Sequence, residues 1–165
     1  FAGTSIDIGT RLLLAHLPAP TDRPVIDMAC GTGVVAASWA TRHPHARVIA
    51  SDQSAIAVAS AKATVAANGV AGRVEVVRDD MLGAQPDRSA SLIALNPPFH
   101  SGAAVTGRIA PLMFADAARV LAPGGELWTV WNSSLGYRAA LERIVGPTRQ
   151  IARNAKFTVT ASTRR

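Results

Sequence analysis

Short apolar runs alternate with longer segments of mixed polarity along the whole chain. The apolar runs predict buried strands at 24–28, 47–51, 74–77, 92–95 and 126–131. Segments with a helical spacing of apolar residues separate them, at about 5–17, 33–43, 54–68, 109–121 and 135–145. Strands that alternate with helices are typical of a mostly parallel sheet covered on both faces, so the pattern predicts a doubly wound, Rossmann-like α/β fold.

Prolines, glycines and capping residues divide these elements. Pro18 and Pro44 predict the ends of the first two helices, because proline cannot continue a helix. Ser54 is a suitable cap for the third helix, which Asn68 and Gly69 can close. A turn at 123–125, Pro-Gly-Gly, is expected to reverse the chain before the fifth strand.

The last two strand candidates, 148–152 and 157–161, are expected to form a hairpin at the sheet edge. The link between them, 153–156, is too short for a helical crossover between parallel strands. No linker divides the chain, so residues 1–165 are expected to form one domain. Because the chain begins at Phe1 rather than a methionine, we also consider that it is the C-terminal half of a longer protein.

The composition fits a cytoplasmic domain of this kind. A chain of 165 residues, 48% of them hydrophobic, can bury a normal core. No apolar run reaches the roughly 18 residues that a membrane span needs, and the first residues lack a secretory signal, so we expect no membrane partner. The single cysteine, Cys30, excludes a disulfide framework and a Cys-rich metal site. His16, His43 and His45 lack metal-ligand spacing, so no metal is expected.

The formal net charge is +6, and most of the basic residues are arginines. Arginine binds phosphate bidentately, which makes nucleic acid a plausible partner. The alternative is that the arginines reflect a biased overall composition, because they are scattered and form no patch in the sequence.

A glycine-rich turn, 27–33, follows the first predicted strand. Its residues Asp27, Ala29, Gly31 and Gly33 form the first part of a candidate ligand site. Small residues let the backbone approach a ligand, and the helix that follows offers free N–H donors. The alternative is a turn that is tight for structural reasons only. A nicotinamide fingerprint needs glycine at positions 29, 31 and 34, where this chain has Ala, Gly and Val, so a nicotinamide-binding fold is excluded.

Acidic residues follow the next two strands at the same predicted edge. Asp52 comes about 20 residues after the glycine turn, at the place of a ribose-binding carboxylate, and Gln53 adjoins it. Asp80 can accept a hydrogen bond from an adenine amine, with Met81 packed on the ring. The alternatives are that Asp52 only opens the next helix and that Asp80 is a solvated loop residue.

The most specific motif is Asn96-Pro97-Pro98-Phe99, directly after the fourth strand. The two prolines fix the backbone and lack N–H donors. The side-chain oxygen of Asn96 and the carbonyl of Pro97 can therefore accept hydrogen bonds from one planar amine, leaving its lone pair available for attack on a methyl donor. Phe99 offers a ring for base stacking, worth about 1 to 3 kcal/mol. The alternative is a plain turn with Phe99 in the core.

Other residues near these motifs are expected to be structural. Cys30 is interpreted as a small packing residue, and His100 as an exposed loop residue rather than a substrate contact. Trp39, Trp128 and Trp131 are expected to pack in helices and strands.

With these motifs the chain resembles the bacterial ribosomal RNA guanine-N2 methyltransferases of the methyltransferase small domain superfamily. The resemblance covers nearly the whole chain, at 6–9, 27–33, Asp52 with 57–60, 96–100 with Gly102, 121–125 and 132–137. The longer motif with His100 and Gly102 is more specific than its four-residue core, which adenine and glutamine methyltransferases also carry.

This resemblance implies a seven-stranded sheet, mostly parallel with an antiparallel last strand, and S-adenosylmethionine as methyl donor. It implies guanine in ribosomal RNA as acceptor, with ribosomal RNA or a ribosomal subunit as partner. The sequence does not define the oligomeric state, and a monomer is favoured. It places the glycine turn and Asp52 at the cofactor, Asp80 near adenine, and the 96–99 motif at the target amine. The chain departs from the pattern at Ala29, where many relatives have glycine, and at Asp80, where close relatives often have Asn.

Two other functions stay open from the sequence. The same short core serves enzymes that methylate adenine in nucleic acid or glutamine in proteins, although the glutamine enzymes more often have Tyr at the position of Phe99. A methyltransferase-like module that only binds RNA is the alternative from another class. Members of the family also tend to carry an upstream, degenerate methyltransferase copy, and nothing of that size precedes these motifs in the sequence.

Overall fold

The computed structural model describes residues 6–98 and 102–165, with side chains from 109 onward in the second range. Its strands are β1 Val25–Met28, β2 Val48–Asp52, β3 Val74–Arg78, β4 Ala90–Leu95, β5 Leu121–Asn132, β6 Thr148–Arg153 and β7 Phe157–Thr163. Its helices are α1 Ile8–Leu14, α2 Val34–Arg42, α3 Ala55–Ala67, α4 Gly102–Val120 and α5 Arg138–Ile144, with a 3₁₀ turn at Ser133–Leu135. Every strand predicted from the apolar runs is present.

The seven strands form a mixed sheet in the order β3-β2-β1-β4-β5-β7-β6. The first five strands are parallel, and β7 runs antiparallel to both of its neighbours, β5 and β6. This order has a switch point beside β1, since the chain moves outward through β2 and β3 and then returns to β4. The doubly wound prediction and the C-terminal hairpin are therefore confirmed, with β6 at the edge.

The sheet is buried on both faces. Helices α1, α2 and α3 cover one face, over a core that includes Trp39, Val25 and Val48. Helices α4 and α5 cover the other, over a core that includes Phe114 and Ile26. Side chains from β1 point into both cores, which explains why its sequence is apolar without alternation. All three tryptophans are buried, as predicted.

Two helices differ from the sequence-based prediction at their ends. Helix α1 begins at Ile8, because Asp7 caps it by accepting a hydrogen bond from the Thr10 N–H at 2.9 Å, and it ends at Leu14 rather than 17; residue 5 of the predicted range lies outside the described residues. Helix α5 begins at Arg138 instead of near 135, because Gly136 takes a left-handed conformation (φ 61°) that separates the 3₁₀ turn from the helix. In both cases a local capping feature overrides the apolar spacing.

The predictions for α4 and the turn after it were wrong in their bounds. Helix α4 begins at Gly102, earlier than 109, and continues through Pro111. The turn at 123–125 does not precede the fifth strand but lies inside β5, as an insertion in its pairing with β4. Ala90 faces Leu121 and Leu92 faces Glu126, so five positions along β5 match two along β4. Gly124 permits this insertion with a φ of 79°.

Within the residues described, no helix is both long and apolar enough to cross a membrane.

Candidate active site

The sheet register brings the predicted site residues to one level of its carboxyl edge. Met28 pairs with Ser51 on one side and with Leu95 on the other. The residues that follow these three are Ala29, Asp52 and Asn96. In open α/β sheets ligands bind at this edge, beside the switch point. The glycine turn, the acidic positions and the Asn-Pro-Pro motif are therefore neighbours in the fold.

The glycine turn has a left-handed backbone at three alternate residues, Ala29 (φ 56°), Gly31 (φ 53°) and Gly33 (φ 73°). Alanine is strained in this region, so the departure at Ala29 has a conformational cost. The sequence suggested that Gly33 is glycine so that a ligand can approach the backbone, but the structure shows another reason. A Cβ there would lie 2.8 Å from the Cβ of Ala61, so glycine is needed where α2 meets α3.

Asp27 is buried behind the turn, with 4% of its surface exposed. Its Oδ2 accepts a hydrogen bond from the Ala36 N–H at 3.0 Å, in the first turn of α2. Burial raises the pKa of Asp27 to about 7, and the charge of Asp52 adds to the rise, while the hydrogen bond from Ala36 opposes it. The structure thus shows Asp27 holding α2 against the turn. Its contact with a cofactor stays a prediction.

Asp52 connects the ends of β1 and β2. Its Oδ2 accepts a hydrogen bond from the Gly31 N–H at 3.0 Å, and its Oδ1 accepts one from the Ser54 N–H at 2.9 Å. Helix α3 is capped by Ser54, whose Oγ accepts from the Ala57 N–H, and Asp52 bonds the backbone N–H of that capping residue. A contact between Asp52 and ribose stays a prediction. Each carboxylate oxygen keeps a further acceptor site, and the side chain is half-buried. Asp52 can therefore hold the turn and bind hydroxyl groups at once.

The remaining predicted cofactor residues lie after β2 and β3. Gln53 is exposed, and its carbonyl accepts a hydrogen bond from Nε of Arg78 at 3.0 Å. Asp80 is exposed beyond the end of β3, whereas its neighbour Asp79 is engaged in the loop through the Ala84 N–H. Met81 is half-buried with a φ of 55°. These positions leave the side chains of Gln53 and Asp80 accessible at the site.

Sequence reasoning missed Ser51, which fixes the loop that carries Met81. Its Oγ donates a hydrogen bond to the Met81 carbonyl at 2.7 Å, and the residue is fully buried. A polar residue at the end of an otherwise apolar strand was the available signal. Cys30 is buried between these elements as predicted, and burial raises the pKa of its thiol, so it stays protonated.

Asn96 has a buried side-chain atom without a hydrogen-bond partner among the described residues. Its Nδ2 donates a hydrogen bond to Oγ1 of Thr10 at 3.0 Å. Its Oδ1 is buried and has no hydrogen-bond partner among the residues described. Leaving such an acceptor unpaired costs about 1 to 3 kcal/mol, so the oxygen is suited to receive an N–H donor from a ligand. Thr10 was also missed, because a helical threonine 86 positions away gives no signal in the sequence.

The structure describes the two prolines of the Asn-Pro-Pro-Phe motif but not its phenylalanine. Pro97 is buried and Pro98 is exposed. Phe99 and His100 lie outside the described residues, so the predicted stacking ring is not placed. No group of three or more His, Cys, Asp or Glu suited to a metal ion lies in the described part of the chain.

Comparison with known sequences gives a family match over nearly the whole chain. The sequence profile described as "Methyltransferase small domain" matches residues 1–161. The "Ribosomal RNA large subunit methyltransferase G" of Streptomyces coelicolor is 48% identical over 160 residues, which cover 96% of this chain and 42% of that protein. The protein of the same name from Shewanella amazonensis is 45% identical, with the same coverage. The chain thus spans about two fifths of the length of these relatives.

Comparison with solved structures gives the same fold. The T. thermophilus 16S rRNA N2 G1207 methyltransferase (RsmC), in complex with AdoMet and guanosine, is similar with a TM-score of 0.87 and 26% identity. The match covers 100% of this chain and 45% of that chain. An RNA methyltransferase from Salinibacter ruber, in complex with S-adenosyl-L-homocysteine, shares the fold with a TM-score of 0.66 at 21% identity, covering 98% of this chain and 93% of that one.

Proposed function

This chain belongs to the methyltransferase small domain family, and from that premise we propose that it transfers a methyl group from S-adenosylmethionine to the exocyclic amine of guanine in ribosomal RNA. The relatives named as ribosomal RNA methyltransferases support the acceptor. The similar structure that holds AdoMet and guanosine supports both ligands. We further propose that residues 1–165 act as one catalytic domain on ribosomal RNA or a ribosomal subunit.

The cofactor half of the proposed site comprises the ends of β1, β2 and β3. Its residues are Asp27, Ala29, Gly31, Gly33, Asp52, Gln53, Asp80 and Met81. The free acceptor positions of Asp52 fit the two ribose hydroxyls, and exposed Asp80 fits the adenine amine. Asp27 and Gly33 contribute by shaping the turn from behind. When bound, S-adenosylmethionine supplies an electrophilic methyl group on a positively charged sulfur.

The acceptor half comprises Asn96, Pro97, Pro98 and Phe99. One observation carries the proposal: Oδ1 of Asn96 is buried and unpaired among the described residues, on a residue that follows β4 at the level where the glycine turn follows β1. A guanine amine that donates one N–H to this oxygen, with the Pro97 carbonyl as second acceptor, has its nitrogen held in a fixed orientation. Such positioning, with a hydrogen bond aligned before reaction, is the main catalytic contribution of these residues. Phe99 would stack the base after it leaves any helix it occupied.

The test is a crossed experiment on the two halves, using Asp52→Ala and Asn96→Ala. Binding is measured by calorimetric titration with S-adenosylhomocysteine, and catalysis by transfer of a tritiated methyl group to RNA, DNA and protein fractions. We expect Asp52→Ala to weaken binding at least about tenfold, because ribose hydroxyls lose a charged acceptor. We expect Asn96→Ala to leave binding within about twofold and to lower turnover about 100-fold.

Each outcome distinguishes the proposal from a competing function. No binding of S-adenosylhomocysteine by the wild type would favour the RNA-binding module. Transfer to DNA adenine or to protein glutamine, with none to RNA guanine, would leave a methyltransferase but overturn the proposed acceptor. Equal losses of binding and turnover in Asn96→Ala would contradict the role assigned to Asn96. A melting curve of Asp52→Ala is needed alongside, since Asp52 also holds the Gly31 and Ser54 N–H groups.

A further inference from the structure

The hydrogen bond between Asn96 and Thr10 anchors the Asn96 amide. A hydroxyl can pair with either end of an amide, and in this structure it accepts from Nδ2. The two ends of a primary amide are nearly equal in size, but only the oxygen accepts a hydrogen bond from an amine. Nδ2 of Asn96 donates to Oγ1 of Thr10 at 3.0 Å, and Oδ1 has no partner in the part of the chain that the structure describes. If the amide rotated by half a turn, Nδ2 would face the target amine. Both groups are hydrogen-bond donors, so they could not form a hydrogen bond. The orientation of this one group therefore determines whether the site accepts an N–H.

The first turn of α1 is held so that the Thr10 hydroxyl stays in place. The Thr10 N–H donates to Oδ1 of the capping residue Asp7 at 2.9 Å. Gly9 brings the turn against β7, because a Cβ there would lie 3.2 Å from the Phe157 ring and 3.2 Å from Oδ1 of Asp7. Thr10 itself is buried, with 9% of its surface exposed. The Thr10 hydroxyl therefore lies on a helix whose first turn is fixed by a cap and by close packing.

From this geometry we propose that Thr10 is a positioning residue for methyl transfer: its hydroxyl binds Nδ2 of Asn96 and anchors the amide beside the target amine, in the arrangement in which Oδ1 is the unpaired end among the described residues. The inference rests on the proposed function, since it assigns Thr10 a part in the same site. Thr10 does not touch the reacting atoms. Its contribution acts through Asn96 and disappears when Asn96 is replaced.

The test compares Thr10→Val, which has the same shape without the hydroxyl, with Thr10→Ser, which keeps it. We expect Thr10→Val to lower kcat for methyl transfer about tenfold, because Nδ2 of Asn96 loses its partner and the amide is no longer anchored. Binding of S-adenosylhomocysteine should stay within about twofold, and Thr10→Ser should retain kcat within about twofold. Thr64→Val is the matched control: its hydroxyl bonds only its own helix at the Ser60 carbonyl, at 3.1 Å, and its loss should leave kcat unchanged.

A double-mutant cycle separates positioning from a structural effect. In the Asn96→Ala background, Thr10→Val should cause no further loss of kcat. The same tenfold loss in both backgrounds would mean that Thr10 acts independently of Asn96, and would overturn the inference. If Thr10→Val does not fold, Thr10→Ala replaces it in the same cycle.

A spectroscopic readout makes the inference independent of activity. In the free protein, the side-chain NH₂ protons of Asn96 should exchange slowly in NMR spectra of the wild type and of Thr10→Ser, and faster in Thr10→Val. Equal exchange in all three would contradict the hydrogen bond on which the inference depends. A wild type that transfers no methyl to RNA guanine would overturn the proposed function instead, while slow exchange lost in Thr10→Val would still support the role of Thr10 in holding the amide.

Discussion

The cofactor half and the acceptor half of the site differ in how their polar groups are satisfied. In the cofactor half, Asp27 and Asp52 each accept at least one backbone N–H from a neighbouring turn or helix. In the acceptor half, Asn96 has one amide atom bonded to Thr10 and the other left unpaired among the described residues. The hydrogen bonds of the proposed cofactor half are thus formed by folding itself, whereas the proposed acceptor half leaves Oδ1 of Asn96 unpaired among the described residues. Substitutions in the first should change stability and binding together, and substitutions in the second should change turnover alone.

The largest effect that tests this comparison is expected from Gly33→Ala. The new Cβ would meet the Cβ of Ala61 at 2.8 Å and its Cα at 2.9 Å, at a residue with a φ of 73°. Overpacking adds to the left-handed strain, so the free energy of unfolding should fall by about 3 to 4 kcal/mol in urea titrations. Binding of S-adenosylhomocysteine should weaken in the fraction that still folds, since the turn is displaced.

Gly69→Ala is the control for Gly33→Ala. Gly69 has a similar φ of 67°, and a Cβ there would meet nothing within 4 Å. The free energy of unfolding of Gly69→Ala should fall by about 1 kcal/mol, from the left-handed backbone strain alone, and cofactor binding should not change. Equal losses in the two variants would show that contact with α3 does not shape the cofactor half.

A smaller effect is expected from pH, through Asp27. Its pKa is raised from 3.8 to about 7 in the folded protein, so between these values the folded state binds more protons than the unfolded one. Stability from this residue therefore rises as the pH falls, and is lost as the pH rises through 7. Between pH 8 and pH 5 the gain should be about 2 to 3 kcal/mol.

Asp27→Asn isolates this contribution, because its side-chain oxygen can still accept from the Ala36 N–H. As the pH falls from 8 to 5, the free energy of unfolding of the wild type should rise relative to that of Asp27→Asn. A constant difference from pH 5 to pH 8 would mean that Asp27 is charged throughout, and that the cofactor half tolerates a buried charge.

The same contrast explains what could be predicted from the sequence. The strands, the glycine turn and the positions of Asp52 and Asn96 follow from short-range patterns, because apolar runs and turn residues are local signals. The sheet places these motifs together through register, as in the pairing of Met28 with Ser51 and Leu95. The α/β alternation predicted that they share an edge, though not which atoms meet.

What the sequence could not predict depends on contacts between distant residues. The partner of Asn96 is Thr10, and nothing in a helical threonine marks it as an acceptor for an amide 86 positions away. The need for glycine at position 33 comes from Ala61, on a different helix. The insertion at 123–125 looked like a separate turn because Pro-Gly-Gly is a turn sequence, whereas the pairing of Leu121 with Ala90 shows that the strand had already begun.

The smallest expected effect, from Ala29→Gly, tests whether the cofactor half is shaped before its ligand binds. Ala29 and Arg88 both have a φ of 56°, the first in the glycine turn and the second in the loop before β4. Glycine relieves the left-handed strain at either position but increases the entropy of the unfolded chain, so Ala29→Gly and Arg88→Gly should each change unfolding stability by about 0.5 kcal/mol. Calorimetry then compares the binding of S-adenosylhomocysteine by the two variants. If folding alone fixes the turn, Ala29→Gly should bind S-adenosylhomocysteine as tightly as the wild type or more tightly, because removal of the Cβ opens space without loosening the turn. Weaker binding would mean that the Ala29 side chain holds the turn in shape, and the hydrogen bonds of Asp52 and Asp27 would then not suffice to preform the cofactor half.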